Sequence, residues 1–227
     1  MKHRLLLASA TAVALGIVFW PEERGAQPTT LSFRIGQTFE DVAKSSTYPV
    51  MEKSNVPTQE FGGWGATWVT EPAVVLRFND PKHGFTLPPT KFASLLFQEH
   101  VAQTAATSPM LDKLPFDQAV AVLENLQNQF KAGGWEPWRA NDHEWFDFSS
   151  DGRKQLYEEM FTPGWSRTEI LRVPHKYSMT FRLKCAAGCN TREPPYLFLI
   201  DIGLAEDFYA EDPPAREERQ VERGHGG

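Results

Sequence analysis

The chain has 227 residues and a formal net charge of −6, with 41% hydrophobic and 23% charged residues. The length suits one large domain or two small ones. The acidic balance argues against a nucleic-acid partner, because phosphate binding needs clustered lysine and arginine, and it leaves a basic protein partner open.

At the start, Lys2 and Arg4 precede sixteen uncharged apolar or small residues, Leu5–Trp20. A positive start before such a run is the pattern of a secretory signal peptide or an N-terminal membrane anchor. The run is at the short edge of the about 17–25 residues that span a bilayer. Small residues at cleavage spacing, Ala8-Ser9-Ala10 and Ala12-Val13-Ala14, lie inside the run, and Arg24 stands where a small residue is wanted before Gly25-Ala26. An uncleaved anchor is therefore preferred, with a cleaved signal as the alternative. No cysteine follows the run, so lipid attachment of the bacterial lipoprotein kind is excluded. Positive charge at the start keeps that end cytoplasmic and exports everything after Trp20. The expected location is the periplasm, tethered to the inner membrane by residues 5–20. Without Lys2 and Arg4 the exported part carries −8 rather than −6.

Residues 21–30 read as a polar linker, and Leu31–Ile35 as a short alternating strand. Thr38 is placed to cap a helix from Phe39 to Ser45, with Glu40 and Asp41 in the first turn, where the helix dipole favours acids. Residues 48–66 read as a loop rich in proline and glycine, which runs into the stretch EFGGWGATW (Glu60–Trp68). Ala73–Phe78 predicts a strand, stopped by a turn over residues 79–84. GFTLPPT, with two prolines, reads as an edge or a loop, and Lys91–Phe97 and Val101–Thr107 as further strands. Pro115 opens the longest helix: Phe116, Ala119, Val120, Leu123, Leu126 and Phe130 form one apolar stripe, and Gly133-Gly134 stops it. Trp145–Phe148 (WFDF) predicts a short strand. Ser149 or Ser150 then caps a helix from Asp151 to Phe161, with Leu156, Tyr157 and Met160 facing inward and Pro163-Gly164 as its stop. Glu169–Val173, Tyr177–Lys184 and Tyr196–Ile202 predict the remaining strands, the last apolar enough to be central. Residues 205–227 hold seven acids and three arginines with no apolar periodicity and read as a disordered acidic tail.

Helix then strands, twice over, predicts an α+β fold with helices packed on one face of antiparallel sheet. The chain divides into two α-β-meander halves, residues 31–108 and 109–204, which meet near Ser108-Pro109 without a repeat between them.

Catalytic machinery is not visible, and no catalytic residue is assigned. The histidines His83, His143, His175 and His225 stand apart, no H-E-x-x-H occurs, and no metal ligands or cofactor are expected. No G-x-S-x-G elbow is present, and FGGWG lacks the Lys-Ser/Thr of a phosphate loop. Glu158-Glu159 and Glu217-Glu218 are adjacent and share no helix face. Cys185 and Cys189 have C-x-x-x-C spacing after a strand, not the C-x-x-C of a redox helix, and no further metal ligands lie nearby. In an oxidising compartment they are expected to form a disulfide staple, with Gly188 giving the backbone freedom to close it. Six tryptophans lie outside the N-terminal run, and tryptophan is a frequent anchor of binding surfaces. Trp64 and Trp68, in the glycine-rich loop, are the first candidates for a partner interface, with Trp138 and His143 from the second half.

FRIGQTFEDV (Phe33–Val42), with Ile35, Gly36, Thr38 and Val42, resembles the I-G-x-T-x-x-x-V opening of small envelope modules built as a helix and a β-meander. These are the outer-membrane assembly lipoproteins of the BamE kind and β-lactamase-inhibitor-like modules. The likeness covers about ten residues and the order of elements to residue 107, and this chain lacks the lipid-bearing cysteine of the former. One N-terminal anchor before an acidic exported domain is also similar to the organisation of immunity proteins that protect Gram-negative cells from secreted antibacterial effectors such as type VI phospholipases. That likeness implies a membrane-tethered inhibitor that binds another protein. No motif matches residue by residue, so neither likeness assigns a functional residue. The competing expectations are an assembly component of the envelope and, less favoured, a hydrolase with a cryptic site.

Overall fold

The computed structural model describes residues 29–139, 142–162 and 166–208. The N-terminal run, most of the linker, the Pro163-Gly164 stop and the tail from residue 209 lie outside them. Among the described residues no helix is long and apolar enough to cross a membrane.

In chain order the elements are β1 (Thr30–Phe33), α1 (Phe39–Ser45), β2 (Ser54–Asn55), a 3-10 turn (Gln59–Phe61), β3 (Gly65–Val69), β4 (Val75–Phe78), β5 (Phe85–Thr86), β6 (Ala93–Gln98) and β7 (Val101–Thr107). The second half adds α2 (Phe116–Ala132), β8 (Glu136–Pro137), α3 (Ser150–Glu159), β9 (Ser166–Val173), β10 (Tyr177–Ala187) and β11 (Leu197–Glu206). Eight strands form one antiparallel sheet in the order β2-β3-β6-β7-β11-β10-β9-β8, four from each half. The two halves thus join through β7 and β11, and β11 is central, as its apolar sequence predicts. A smaller sheet, β1-β4-β5, contains the parallel pair β1–β4, which the sequence reading did not anticipate. The fold is α+β.

One face of the large sheet carries the core. In-register side chains Met179, Phe181 and Leu183 of β10 lie beside Leu204, Ile202 and Ile200 of β11, all buried. Every helix packs on this face: Phe39 of α1 meets Phe97 edge-on, and Phe130 and Phe116 of α2 meet Phe181 and Phe198. Tyr157 of α3 sits against Phe116. The small sheet covers the rest, with Phe78 against Tyr177 and Phe85 against Phe130. The other face of the large sheet is uncovered by any described element.

The helix boundaries follow local chemistry. Thr38 Oγ1 accepts from the amide of Asp41, and Ser149 Oγ accepts from Gly152, so the cap of α3 is the first of the two serines. The apolar stripe of α2 is buried from Ala119 to Phe130, while Phe116 is packed but partly exposed.

Three readings need correction. Residues 48–66 are not all loop: β2, the 3-10 turn and the start of β3 lie there, and Trp68 is a strand residue. Trp145–Phe148 is extended but not a strand. Its backbone pairs with a side chain instead, because the buried amide of Gln127 accepts from Phe146 N at 2.9 Å and donates to Phe146 O at 3.1 Å. Finally, ordered structure passes residue 204. Strand β11 ends at Glu206, and the buried carboxylate of Asp207 takes Arg172 Nε and Nη2 at 3.0 and 2.7 Å.

A buried carboxylate couples the halves. Asp80, in the turn after β4, accepts from the amides of Lys82 and His83 at 2.9 and 2.8 Å, and from Lys176 Nζ and Tyr177 Oη of the second half at 2.7 and 2.8 Å. Burial alone pushes its carboxyl up; the Lys176 ammonium and the three other donors more than offset this and hold it well below the usual carboxylate range. At the other end, the disulfide Cys185–Cys189 ties the end of β10 to the turn that leaves it, with a Cα–Cα distance of 6.3 Å. Gly188 has φ of +85°, and a Cβ there would stand 2.5 Å from Glu193 O, so only glycine closes this turn.

Two outcomes are expected. Asp80→Ala strands Lys176 and the two turn amides and lowers stability by about 3 kcal/mol at neutral pH in urea melts. Because the folded carboxyl is held well below its unfolded value, the charge-dependent part of this contribution is complete above about pH 5 and shrinks progressively as pH falls below about 4, so the gap between parent and variant narrows toward strongly acid pH. Cys185→Ser with Cys189→Ser opens a very short loop, worth about 2 kcal/mol. It lowers the thermal midpoint by about 4–8 °C and leaves the circular dichroism spectrum unchanged.

Candidate functional site

The register of the large sheet fixes where the four candidate residues sit. Trp68 on β3 points to the open face, because its neighbours Thr67 and Val69 are buried on the core face. Across the strands, Trp68 is followed in register by Ser94, Ala106, Gly203, Thr180 and Ile170. Trp138, just past β8, closes the row by donating its amide to Ile170 O. Six strand spacings separate Trp68 from Trp138, roughly 29 Å. The structure therefore stacks Trp138 on His143 and places Trp64 and Trp68 along and just before β3, so that the two pairs lie toward opposite edges of one sheet.

The Trp138 edge is occupied by its own interactions. The indole stacks on the His143 ring at 6.4 Å, with the Arg172 guanidinium 5.7 Å over it. His143 Nδ1 lies 3.1 Å from Oε2 of Glu169, which also accepts from the amide of Glu144; Oε1 accepts from Arg167 Nε at 2.6 Å. Glu169 is buried on the core-facing side of β9. Burial alone would lower the Arg167 guanidinium; Glu169 and Glu159 more than offset that and raise it. This network straps the segment after β8 to β9 with its charges satisfied. Among the described residues, no group of three or more His, Cys, Asp or Glu side chains converges as a metal site.

The Trp64 edge is different. Nine large apolar side chains are exposed among the described residues, and seven of them, Met51, Val56, Phe61, Trp64, Trp68, Phe92 and Leu96, lie in or beside β2, β3 and β6. Trp64 and Trp68 are 58% and 50% exposed, Phe61 and Phe92 67% and 59%. At roughly 200–250 Å² per side chain, the four together show water about 500 Å², in the range of the largest apolar patch of a typical monomer, which is often functional. Phe61, Phe92 and Leu96 were not among the sequence candidates. A signal was available for two of them: on either side of the inward set Ala93, Leu95 and Phe97, the outward positions include Phe92 and Leu96, where an ordinary open face carries polar groups.

The loop that carries Phe61 and Trp64 is braced. The amides of Phe61, Gly62, Gly63 and Trp64 are all bonded within the turn. Gly63, with φ of +71°, lies against the β6–β7 hairpin so tightly that a Cβ would come within 2.7 Å of Glu99 Cα, and its carbonyl accepts from His100 N. Gly65 is pressed equally close to Asn55 O. The hairpin tip itself is strained. Glu99 and His100 both have positive φ, 51° and 64°, where a two-residue turn prefers Asn-Gly. Each costs about 1 kcal/mol or more and is held by Gly63 and by Phe39, whose amide donates to His100 O. Comparisons with protein-family models, with curated proteins and with solved structures find no match.

Proposed function

We propose that the protein is a membrane-tethered periplasmic binding protein, an inhibitor or immunity protein that neutralises a secreted antibacterial effector by docking on it. The observation that carries this reading is the collection of exposed aromatic side chains on one braced edge of the sheet. Rigid aromatic anchors gain area on binding and lose little conformational entropy, which is the character of a protein-binding hot spot. The apolar run Leu5–Trp20 supports tethering, and the Cys185–Cys189 disulfide supports an oxidising compartment. Trp64 and Trp68 are the central anchors, and inhibition works by covering the mouth of the effector's active site.

The test is co-expression with the product of the adjacent gene. The two are expected to co-purify at equal stoichiometry, and this protein to restore growth of cells that export the other. Trp64→Ala with Trp68→Ala should weaken the complex by about 2 kcal/mol or more while the fold is retained in circular dichroism, because half or more of each side chain is exposed. If deleting the gene leaves cells indifferent to its neighbour, the inhibitor reading fails. Recovery of a constitutive envelope complex instead would replace it with a role in envelope assembly.

A further inference from the structure

We infer that the aromatic platform of β3, β6 and the Phe61–Trp64 loop docks a basic, arginine-bearing protein surface, and that this edge alone forms the interface. The inference rests on the binding-protein reading and names the chemistry of the partner.

The rim of the platform decides between occupants. Around the exposed rings stand the exposed side chains Glu52, Glu60, Glu71 and Glu99, four carboxylates against the two ammonium groups of Lys53 and Lys91. Their places follow from chain or contact: Glu52 precedes Lys53, whose carbonyl accepts from Trp68 N, Glu60 precedes Phe61, Glu71 follows the end of β3, Lys91 precedes Phe92, and the backbone of Glu99 lies against Gly63. A second copy docking on the same patch would set this acidic rim against itself, because a two-fold contact pairs a surface with its own image. An anionic membrane surface attracts basic segments and repels an acidic rim. A basic protein surface satisfies both features. Arginine fits best, since its guanidinium stacks on indole and phenyl faces and takes carboxylates in a two-pronged bond. The opposite edge is unsuited to the same task, because its indole already lies against Arg172 and its histidine against Glu169.

The bracing gives the inference a second handle. The platform is presented in one arrangement because Gly63 lets the loop seat on the strained Glu99-His100 turn. A Cβ at residue 63 must push the loop away while changing no charge and no ring.

The experiment uses the full-length chain in detergent micelles and a fluorescein-labelled synthetic peptide in which arginine alternates with serine, with a glutamate counterpart as control. Fluorescence anisotropy is expected to show binding of the arginine peptide only. The dissociation constant should rise about tenfold or more in Trp64→Ala/Trp68→Ala, and by a similar factor when the four rim glutamates become glutamine. Gly63→Ala should also weaken binding, whereas Phe208→Ser, an exposed ring outside the platform, should leave it unchanged. Unchanged melting temperatures identify the variants that report on the surface alone. Equal peptide binding by the parent and the double tryptophan variant overturns the inference. So does binding to phosphatidylglycerol vesicles, or self-association in sedimentation velocity, that disappears in the same variants. Protection of cells from the adjacent gene's product without peptide binding removes this inference and leaves the inhibitor reading standing; peptide binding lost in the variants, with cells indifferent to that product, does the reverse.

Discussion

Asp80 holds a carboxylate out of water where the small sheet, the end of α2 and the start of β10 meet on the core face of the large sheet. Its two oxygens collect the turn after β4 and the first residues of β10, and the same turn reaches α2. His83 Nδ1 sits 2.7 Å from Gly133 O, and His83 O accepts from Trp135 Nε1 at 2.9 Å. A charge in that position is tolerable only while every donor is in place, since an unpaired buried carboxylate costs several kcal/mol. The consequence is cooperative. The small sheet, the end of α2 and the start of β10 must be in register together, and the apolar contacts of Phe78, Phe85, Trp135 and Tyr177 are assembled around that requirement.

With the core face so fully used, the open face of the large sheet is left to present side chains. Its centre is floored by small or hydroxylated residues, Ser94, Ala106, Gly203 and Thr180, and its two margins behave differently. At the β8 margin the aromatic and titratable groups are committed to one another through Glu169, Arg167 and Arg172. At the β2 margin the aromatic groups have no such commitments among the described residues and are backed by a hydrogen-bonded turn. Equal tryptophan content at two edges thus has unequal meaning, and what separates them is the satisfaction of neighbouring polar groups.

Elements set by local chemistry were legible in the sequence. The stripe and glycine stop of α2, the caps at Thr38 and Ser149, the alternation of β10 and the disulfide all depend on residues within about a helix turn or a strand of one another. What was missed depends on distant partners. WFDF has the alternation of a strand, yet its backbone partner is the side chain of Gln127, and no periodicity reveals a substitution of amide for strand. Strand β3 was hidden because its glycine-rich approach reads as loop, although Gly63 and Gly65 are there to permit close packing. Trp68, which the sequence assigns to a glycine-rich loop, stands on strand β3. Trp138 and His143 are interface candidates in the sequence, but the buried Glu169 that organises them lies 26 residues from His143 along the chain.

The position of β11 governs how the molecule can be assembled. The final strand inserts between β7 and β10, so the pairs Thr107–Ile202 and Thr104–Ala205 join residues roughly 100 positions apart. Until the last described residues have emerged from synthesis, the first half has β7 as a bare edge, and the β9–β10 hairpin has a second one. Closing so long a loop is entropically late, and unpaired edges are where chains adhere to one another. The nascent protein is therefore vulnerable during the interval between synthesis of β7 and of β11, and the two parts of the large sheet close in one late step.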